Sequence, residues 1–362
     1  MRVSHRAFLF GSLLVPISLT GLVVAGKFNF FQLSNRQRVN GQPEVFRIAP
    51  FAIEPHVLSS GAVSSRSALI RLFRAIDLGA SELMHLARLL KTAERLGCGY
   101  LEVSASDLCH LFLDDVKVQS YFGARSGVFL PRGSHFEVKK SSAESSRTHI
   151  AEAHQDYLLF TMAECGIHLD SLASVCGRND VRPLRSRFDQ IIRNISIRSL
   201  GNEFSLTIAS LILYGGYRLC NCEVLVEKLL ETREGYCFDL HRYYAMAGFL
   251  QMEDLHSKLR SQLGAELERK TNAMLELQNE DGAWRNAEGR DSLAITSHQL
   301  EWWYLLYNKS IAVEESIDRA VNYLAVKLSK ATEQEIKSYY STWCHVARCL
   351  LIYDWRNGHG LK

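Results

Sequence analysis

Four histidines lie in polar clusters within segments that otherwise carry an apolar helical period. They are His154, His241, His298 and His345, in the strings AEAHQD, CFDLHR, SHQLEW and WCHVARC. Imidazole is both a ligand for transition metals and an acid or base near neutral pH. The four clusters therefore indicate a functional site, provided that the fold brings their helices together.

Three of these clusters hold a second reactive group at helical spacing. Cys237 lies four residues before His241, Glu301 lies three residues after His298, and Cys349 lies four residues after His345. Residues three or four apart are neighbours on a helix surface, and imidazole, thiolate and carboxylate groups placed in this way can converge on zinc. The alternative is that each histidine is a buried, hydrogen-bonded core residue and each cysteine a small core hydrophobe.

The same residues are also compatible with a site that contains no metal. His298 and Glu301 would then be the candidate catalytic pair, acting as general acid and base. Polar and aromatic side chains of the same clusters would bind and orient a ligand. This cavity set consists of His154, Asp156, Asp239, His241, Arg242 and Trp302.

The composition narrows the classes of function. The chain has 362 residues, of which 47% are hydrophobic and 22% charged, as is typical of globular proteins. A net charge of +3 without a basic patch predicts no nucleic-acid partner. The sequence has no P-loop, dinucleotide-binding or nucleophile-elbow motif. Its nine cysteines are irregularly spaced and indicate no disulfide framework.

An uncharged, apolar segment from Ala7 to Gly26 follows Arg2 and Arg6. It is long enough to span a bilayer as a helix, and the preceding basic residues favour an exported body. We therefore expect residues 1–26 to anchor a single-pass protein in the membrane and residues 27–60 to be a linker. The alternative is a cleaved signal peptide, with a secreted or periplasmic body.

The remaining sequence predicts an all-α fold. Residues 61–146 form an N-terminal helical region that ends in a long loop, 117–146, with short strands near 127–131 and 135–140. Residues 147–362 form the main domain. Apolar residues at three- and four-residue spacing predict its helices near 147–165, 183–198, 203–214, 222–233, 238–252, 256–278, 294–308, 314–330 and 333–354.

One turn resembles the Gln-Trp repeat of squalene cyclases. In RKTNAMLELQNEDGAW a helix ends at Gln278, and Asp281, Gly282 and Trp284 follow in the order of that repeat. The resemblance implies an α/α toroid, shared with protein prenyltransferase β-subunits, in which outer helices alternate with inner helices around a central cavity. The helices near 147, 203, 238, 294 and 333 would be inner. Four of these five carry the histidines, which would face one cavity or lie close to it.

A second resemblance concerns zinc. The adjacent Cys344 and His345, with Cys237 on another inner helix, resemble the zinc-binding cysteine and cysteine-histidine set of lanthionine cyclases. The predicted metal set is therefore Cys237, His241, Cys344 and His345. Val346 stands where that family has glycine, and the Asp-x-Asp-Asp motif of the terpene cyclases is absent, so neither activity follows from the fold.

The leading hypothesis is a membrane-anchored or exported helical protein that binds or modifies a small molecule, lipid or peptide in a central polar cavity. Two alternatives stay open: a non-catalytic helical scaffold for protein partners, and a zinc-dependent cyclase- or transferase-like enzyme. The sequence does not decide whether the chain is an enzyme, and zinc is the one cofactor that it suggests.

Overall fold

The computed structural model describes residues 72, 78–96, 104–123, 127–138, 157–175, 180–195, 222–231, 239–250, 255–286, 289, 292–306 and 310–357. The predicted anchor or signal segment and the linker, residues 1–60, lie outside these ranges. So do His154, Asp156, Cys237 and the helix predicted near 203–214. In the described ranges, no helix is both long enough and apolar enough to cross a membrane.

Helices make up most of the described chain, which confirms the mostly helical prediction, and two β-hairpins join them. The elements are α1 (Ala80–Arg95), α2 (Ala105–Leu113), α3 (Asp115–Phe122), β1 (Phe129–Arg132), β2 (His135–Val138), α4 (Tyr157–Glu164), β3 (Leu172–Val175), β4 (Asp180–Pro183), α5 (Arg185–Ile195), α6 (Cys222–Glu231), α7 (Leu240–Leu250), α8 (Ser257–Leu277), α9 (Ser292–Trp303), α10 (Ile311–Lys330), α11 (Glu333–Ser338) and α12 (Tyr340–Arg356).

The long helices from α7 to α12 lie in two environments. Helix α9 is buried on all sides from Ile295 to Trp303, and α7 and α12 are buried almost as completely. Helix α8 instead buries a single stripe that includes Leu259, Leu263 and Leu267, four residues apart, and α10 also keeps an exposed face. One apolar stripe beside a polar face is the pattern of a helix that covers a core. Helices α8 and α10 therefore form an outer layer over α7, α9 and α12.

The turn between α8 and α9 ties three helices together. The side-chain Nε2 of Gln278 donates hydrogen bonds to the carbonyl oxygens of Gly282 and Ser316, each at 2.9 Å, and Ser316 belongs to α10. The buried indole of Trp284 donates from Nε1 to the carbonyl oxygen of Met274 in α8, at 2.7 Å. These bonds hold both outer helices beside the start of α9.

Both hairpins are antiparallel. The first pairs β1 with β2, close to the strands predicted near 127–131 and 135–140. The second pairs β3 with β4, which the sequence does not predict. Each of its strands has four residues, too few to show an alternating pattern in the sequence.

The loop predicted at 117–146 is wrong in its first part, because α3 covers residues up to Phe122. The side chain of Asp114 accepts hydrogen bonds from the backbone N–H groups of Val116 and Lys117 and caps this helix. The helix predicted near 333–354 is also two helices. A capping box between Thr332 and Glu335 starts the short α11 before α12 begins.

Four helices stand side by side at the centre, in the order α1, α12, α9, α7. Helix α1 thus packs directly against the last helix of the chain. Each helix of this row carries one buried histidine: His85 on α1, His345 on α12, His298 on α9 and His241 on α7.

Candidate functional site

One buried carboxylate accepts hydrogen bonds from two imidazoles. Nδ1 of His298 lies 2.9 Å from Oε2 of Glu301, less than one turn further along α9. Nδ1 of His345, on α12, lies 2.9 Å from Oε1 of the same carboxylate. The two imidazole rings meet edge to face, with centroids 4.3 Å apart. The predicted pair of His298 and Glu301 is therefore in contact, and His345 joins it from a second helix.

This carboxylate determines which nitrogen of each ring carries the proton. Burial lowers the pKa of His345 to about 3, so its imidazole is neutral at pH 7 and has a single N–H group. An ionised carboxylate can only accept, so that N–H must be at Nδ1, and the lone pair is on Nε2. Nδ1 of His298 faces the same carboxylate, so a neutral His298 would also carry its lone pair on Nε2.

Two further imidazoles extend the pair into a row of four. The ring centroid of His85 lies 5.0 Å from that of His345, and the centroid of His241 lies 4.8 Å from that of His298. Nδ1 of His85 lies 2.7 Å from the carbonyl oxygen of Ser81, which can only accept. A neutral His85 would therefore also carry its lone pair on Nε2. We call the series His85, His345, His298, His241 the histidine row.

Arg348 connects Glu301 to a second buried carboxylate. Its Nη1 donates to Oε1 of Glu301 at 3.0 Å, and its Nη2 donates to Oε1 of Glu164 at 2.7 Å. Its Nε donates to the hydroxyl of Thr92 at 2.9 Å. Glu164 also accepts from Nε of Arg88 at 2.5 Å. Two carboxylates and two guanidiniums thus form one continuous buried network behind the histidine row.

Both carboxylates are ionised in this network. Burial alone would raise the pKa of Glu301, but His345, His298 and Arg348 outweigh it and hold that pKa well below its usual value. Burial likewise acts to raise the pKa of Glu164, and the charges of Arg348 and Arg88 lower it overall. Each carboxylate therefore carries a full negative charge at pH 7.

The residues of the histidine row are not completely buried. Its four imidazole-bearing residues are 5–7% exposed, whereas Leu300 and Val346 on the same helices are 0% exposed. Any exposure requires that a sphere of the size of water can touch the side chain. A sphere of the size of water therefore reaches a small part of each of these residues.

The donor atoms suit a metal ion. Ligand atoms of His298, Glu301 and His345 all lie within 4.8 Å of one another, and all three residues are buried. Because Glu301 accepts the Nδ1 protons of both rings, it orients them and leaves the two Nε2 atoms as the nitrogens that could bind a metal. A carboxylate behind each ligating histidine is a recurring device of metal sites, since it fixes the ring and raises its basicity. His85 and His241 stand at either end to supply further imidazoles.

Other predicted residues lie on different faces. Arg242 donates to Asp239 and to the hydroxyl of Tyr243, and both Arg242 and Tyr243 contact Glu266, so this polar cluster faces α8. Trp302 is fully buried. Its Nε1 donates to Oε1 of Gln299 at 3.0 Å, and its ring lies 5.7 Å from that of Tyr243.

Cys344, a predicted metal ligand, is buried on α12. Burial raises the pKa of its thiol well above the usual value, and Glu82 and Tyr340 lie close to it. The group of possible ligands among the described residues consists of His298, Glu301 and His345 and does not include Cys344.

Sequence reasoning missed His85 and the network behind the row. A signal was present in ELMHLARLLKT, where His85, Arg88 and Thr92 recur at three- and four-residue spacing within an apolar helix. Arg348 similarly lies three residues after His345. These polar stripes identify the network only once α1 is known to pack against α12.

Comparison with known proteins gives no information on function, so any assignment depends on these residues. The chain matches no protein-family model, no curated protein and no solved structure.

Proposed function

We propose that this protein binds a divalent transition-metal ion, zinc in the first place, at the histidine row and uses it to bind or modify a small molecule. One observation carries the proposal: a single buried carboxylate, Glu301, accepts Nδ1–H from imidazoles of two different helices. That arrangement gives His298 and His345 the same tautomer and directs two Nε2 lone pairs away from the carboxylate.

Zinc fits these ligands for two reasons. It binds neutral imidazole nitrogen readily and is usually four-coordinate, and its catalytic sites keep one position for water or substrate. His298 and His345 supply two nitrogens, and His85 or His241 supplies a third from an adjacent helix. A bound zinc ion would supply Lewis-acid chemistry at the position left open.

A purely structural role explains the cluster less well. Charged side chains in a core are costly to desolvate, and apolar residues of similar volume often stabilise a protein equally well or better. This core nevertheless contains four imidazoles, two carboxylates and two guanidiniums in contact.

The architecture that we propose around the site is the α/α toroid. It is supported by the alternation of buried helices α7, α9 and α12 with the half-exposed helices α8 and α10. The bonds of Gln278 and Trp284 to α8 and α10 also suit the role of a Gln-Trp turn. In such a ring the histidine row would line the central cavity.

Metal-free acid–base chemistry is the second candidate. Glu301 orients His298 through Nδ1, which is how a carboxylate orients a histidine that acts as a general base through Nε2. The same geometry serves both functions, so the effect of metal removal distinguishes them.

The test is metal analysis of the purified full chain. We expect about one zinc ion per chain, lost on dialysis against a chelator and restored by added Zn²⁺. A double variant, His298→Ala with His345→Ala, should bind none while its circular dichroism stays helical. His168→Ala is the matched control, because His168 is 76% exposed and should leave the zinc content unchanged.

A folded wild-type chain that binds no zinc, cobalt, nickel or iron would overturn the metal proposal. If such a chain still binds or converts a ligand and loses that ability in the double variant, the acid–base reading replaces it. If the double variant changes no ligand binding either, the histidine row is structural and a scaffold is the better description.

A further inference from the structure

Two of the described cysteines come from different helices and meet in the core. Cys109 belongs to α2, and Cys165 is the first residue after α4. We infer that these two residues are a site of oxidation, at which a small disulfide or a thiol–disulfide oxidoreductase joins them in a covalent cross-link between α2 and the end of α4. This inference is independent of the proposed metal site.

The thiols of Cys109 and Cys165 are in hydrogen-bond contact. Sγ of Cys165 also donates to the backbone carbonyl oxygen of Ala87 on α1, with 3.6 Å between sulfur and oxygen. A thiol has only one hydrogen to donate, so Cys109 is the donor in the contact between the two thiols and the sulfur of Cys165 is the acceptor. The two sulfur atoms therefore face each other directly.

The packing around the pair keeps the two sulfurs together. Helices α1, α2 and α4 contact one another, and the exposed fraction is 0% for Cys109 and 2% for Cys165. Backbone hydrogen bonds fix the turn after α4, where the N–H of Cys165 donates to the carbonyl oxygen of Thr161 at 2.9 Å and the N–H of Gly166 to that of Ala163 at 3.0 Å. A sulfur–sulfur bond of about 2.0 Å therefore requires movement of the side chains rather than separation of the helices.

The other two cysteines whose side chains the structure describes are not paired in this way. Cys344 and Cys349 lie five residues apart on α12 and therefore on different faces of that helix. Sγ of Cys349 donates to the backbone carbonyl oxygen of Ser297 at 3.3 Å. Among these four cysteines, Cys109 and Cys165 are thus the pair that is placed to form a bond.

The oxidation is balanced by cleavage of another disulfide, such as oxidised glutathione. Each of the two thiols loses a proton, and together they give up two electrons as their sulfur–sulfur bond forms. The disulfide of the reagent takes up both electrons and both protons and leaves as two thiols. The site therefore requires only an oxidising pool of thiols and disulfides.

Burial determines when the bond forms and how long it lasts. The thiolate is the form that attacks a disulfide, and the hydrogen bond with Cys165 and burial both raise the pKa of Cys109 well above its usual value. The bond therefore forms while the helices assemble or open locally, and the closed structure protects it from reduction. Disulfides persist outside the cytosol, which agrees with the exported body that residues 1–26 predict.

The cross-link would hold one end of the buried charge network. Cys165 directly follows Glu164, the last residue of α4. The carboxylate of Glu164 accepts hydrogen bonds from Arg348 at 2.7 Å and from Arg88 at 2.5 Å. A bond between Cys165 and α2 therefore restricts the helix end that presents this carboxylate to α1 and α12.

Thiol mapping of the full chain tests for the bond. The purified, reduced chain is incubated with oxidised glutathione in urea just below the onset of unfolding, so that local opening exposes the buried thiols. The remaining thiols are then alkylated in denaturant, and linked peptides are identified by mass spectrometry. Chymotrypsin is the protease, because it cuts after aromatic residues and leucine and so separates Cys109 and Cys165 from the nearby Cys98 and Cys176.

We expect a peptide pair that joins Cys109 to Cys165 in most of the chains. In the Cys109→Ala variant this pair should be absent, whereas Cys344→Ala, which removes a buried thiol of α12, is the matched control and should retain it. Recovery of both wild-type residues in alkylated form would overturn the inference. So would a bond between either of them and another cysteine of the chain.

The thermal stability of the wild type provides a second measurement. A cross-link between residues far apart in the chain reduces the freedom of the unfolded state. We expect the midpoint temperature of unfolding to be about 5–10 °C higher in the cross-linked than in the reduced wild type. The double variant, Cys109→Ala with Cys165→Ala, should show no difference between the two conditions. Equal midpoints for the cross-linked and reduced wild type would contradict a bond that fits the native packing.

Discussion

The imidazole rings of His298 and His345 meet edge to face at 4.3 Å, although they belong to different helices. Both direct Nδ1 at the carboxylate of Glu301, so both direct Nε2 away from it. Two imidazolium cations at this distance would repel each other, and burial keeps His345 neutral at pH 7. His345 can therefore bind an ion without first losing a buried proton.

Glu301→Gln tests whether the carboxylate orients the two rings. Glutamine has nearly the same size but only one acceptor oxygen, so one imidazole loses its acceptor and Arg348 loses an ion pair. We expect zinc affinity to fall by about 10–100-fold, the usual effect of changing a group behind a ligating histidine. Competition with a chromophoric chelator measures this. Glu268→Gln, exposed on α8, is the control. A folded Glu301→Gln variant with wild-type affinity would refute the orienting role.

His85→Ala and His241→Ala remove opposite ends of the histidine row. His85 approaches His345, and His241 approaches His298. If either end supplies the third imidazole, its removal should lower zinc affinity by at least about tenfold, because a two-nitrogen site leaves zinc short of protein ligands. The larger loss identifies the ligating end, and isothermal titration calorimetry of both variants measures it. Wild-type affinity in both would limit the site to His298 and His345.

The local part of this site could be predicted from the sequence. Glu301 follows His298 by three residues, which places both on one face of any helix. The positions of His241, His298 and His345 on alternate long helices also suggested a common centre, and the structure brings these three together. Helical periodicity carries this information because it depends only on neighbouring residues.

The long-range part could not be predicted. His85 reaches the row because α1 packs against α12, and nothing in either helix alone specifies that contact. The neighbours of Cys344 could not be predicted either. Its thiol lies near Glu82 and Tyr340, whereas His345 contacts Glu301.

In the Glu164→Gln variant, the free energy of unfolding should fall less steeply than in the wild type as the pH is lowered. The folded pKa of Glu164 lies below the usual 4.5, because Arg348 and Arg88 outweigh burial. A lowered folded pKa contributes stability above the unfolded pKa, and that contribution is lost as pH falls below it. At pH 7 we expect the variant to lose about 3–5 kcal/mol, since two guanidiniums lose the charge of a buried partner.

Urea denaturation at a series of pH values measures this difference. The gap between wild type and Glu164→Gln should stay constant from pH 8 to about 5.5 and shrink below about pH 4.5. Arg348 still pairs with Glu301 in the variant and keeps the pKa of Glu301 low, so the loss of stability on protonation of Glu301 occurs in both proteins. A gap that is independent of pH throughout this range would mean that Glu164 does not carry the ion pairs in solution.

Gly282→Ala should destabilise the fold much more than Gly133→Ala. Gly282 has φ of +89°, and a Cβ there would overlap the backbone carbonyl of Arg319 in α10. Left-handed strain costs about 1–2 kcal/mol and overpacking about 1–3 kcal/mol, so we expect a loss of about 2–5 kcal/mol. Gly133 has φ of +53° with no atom within 4 Å of its Cβ position, so strain alone should cost about 1–2 kcal/mol. Urea denaturation of both variants gives the comparison. Equal losses of stability in the two variants would mean that the turn at Gly282 does not contact α10. The Gln278 turn would then not support the start of α9.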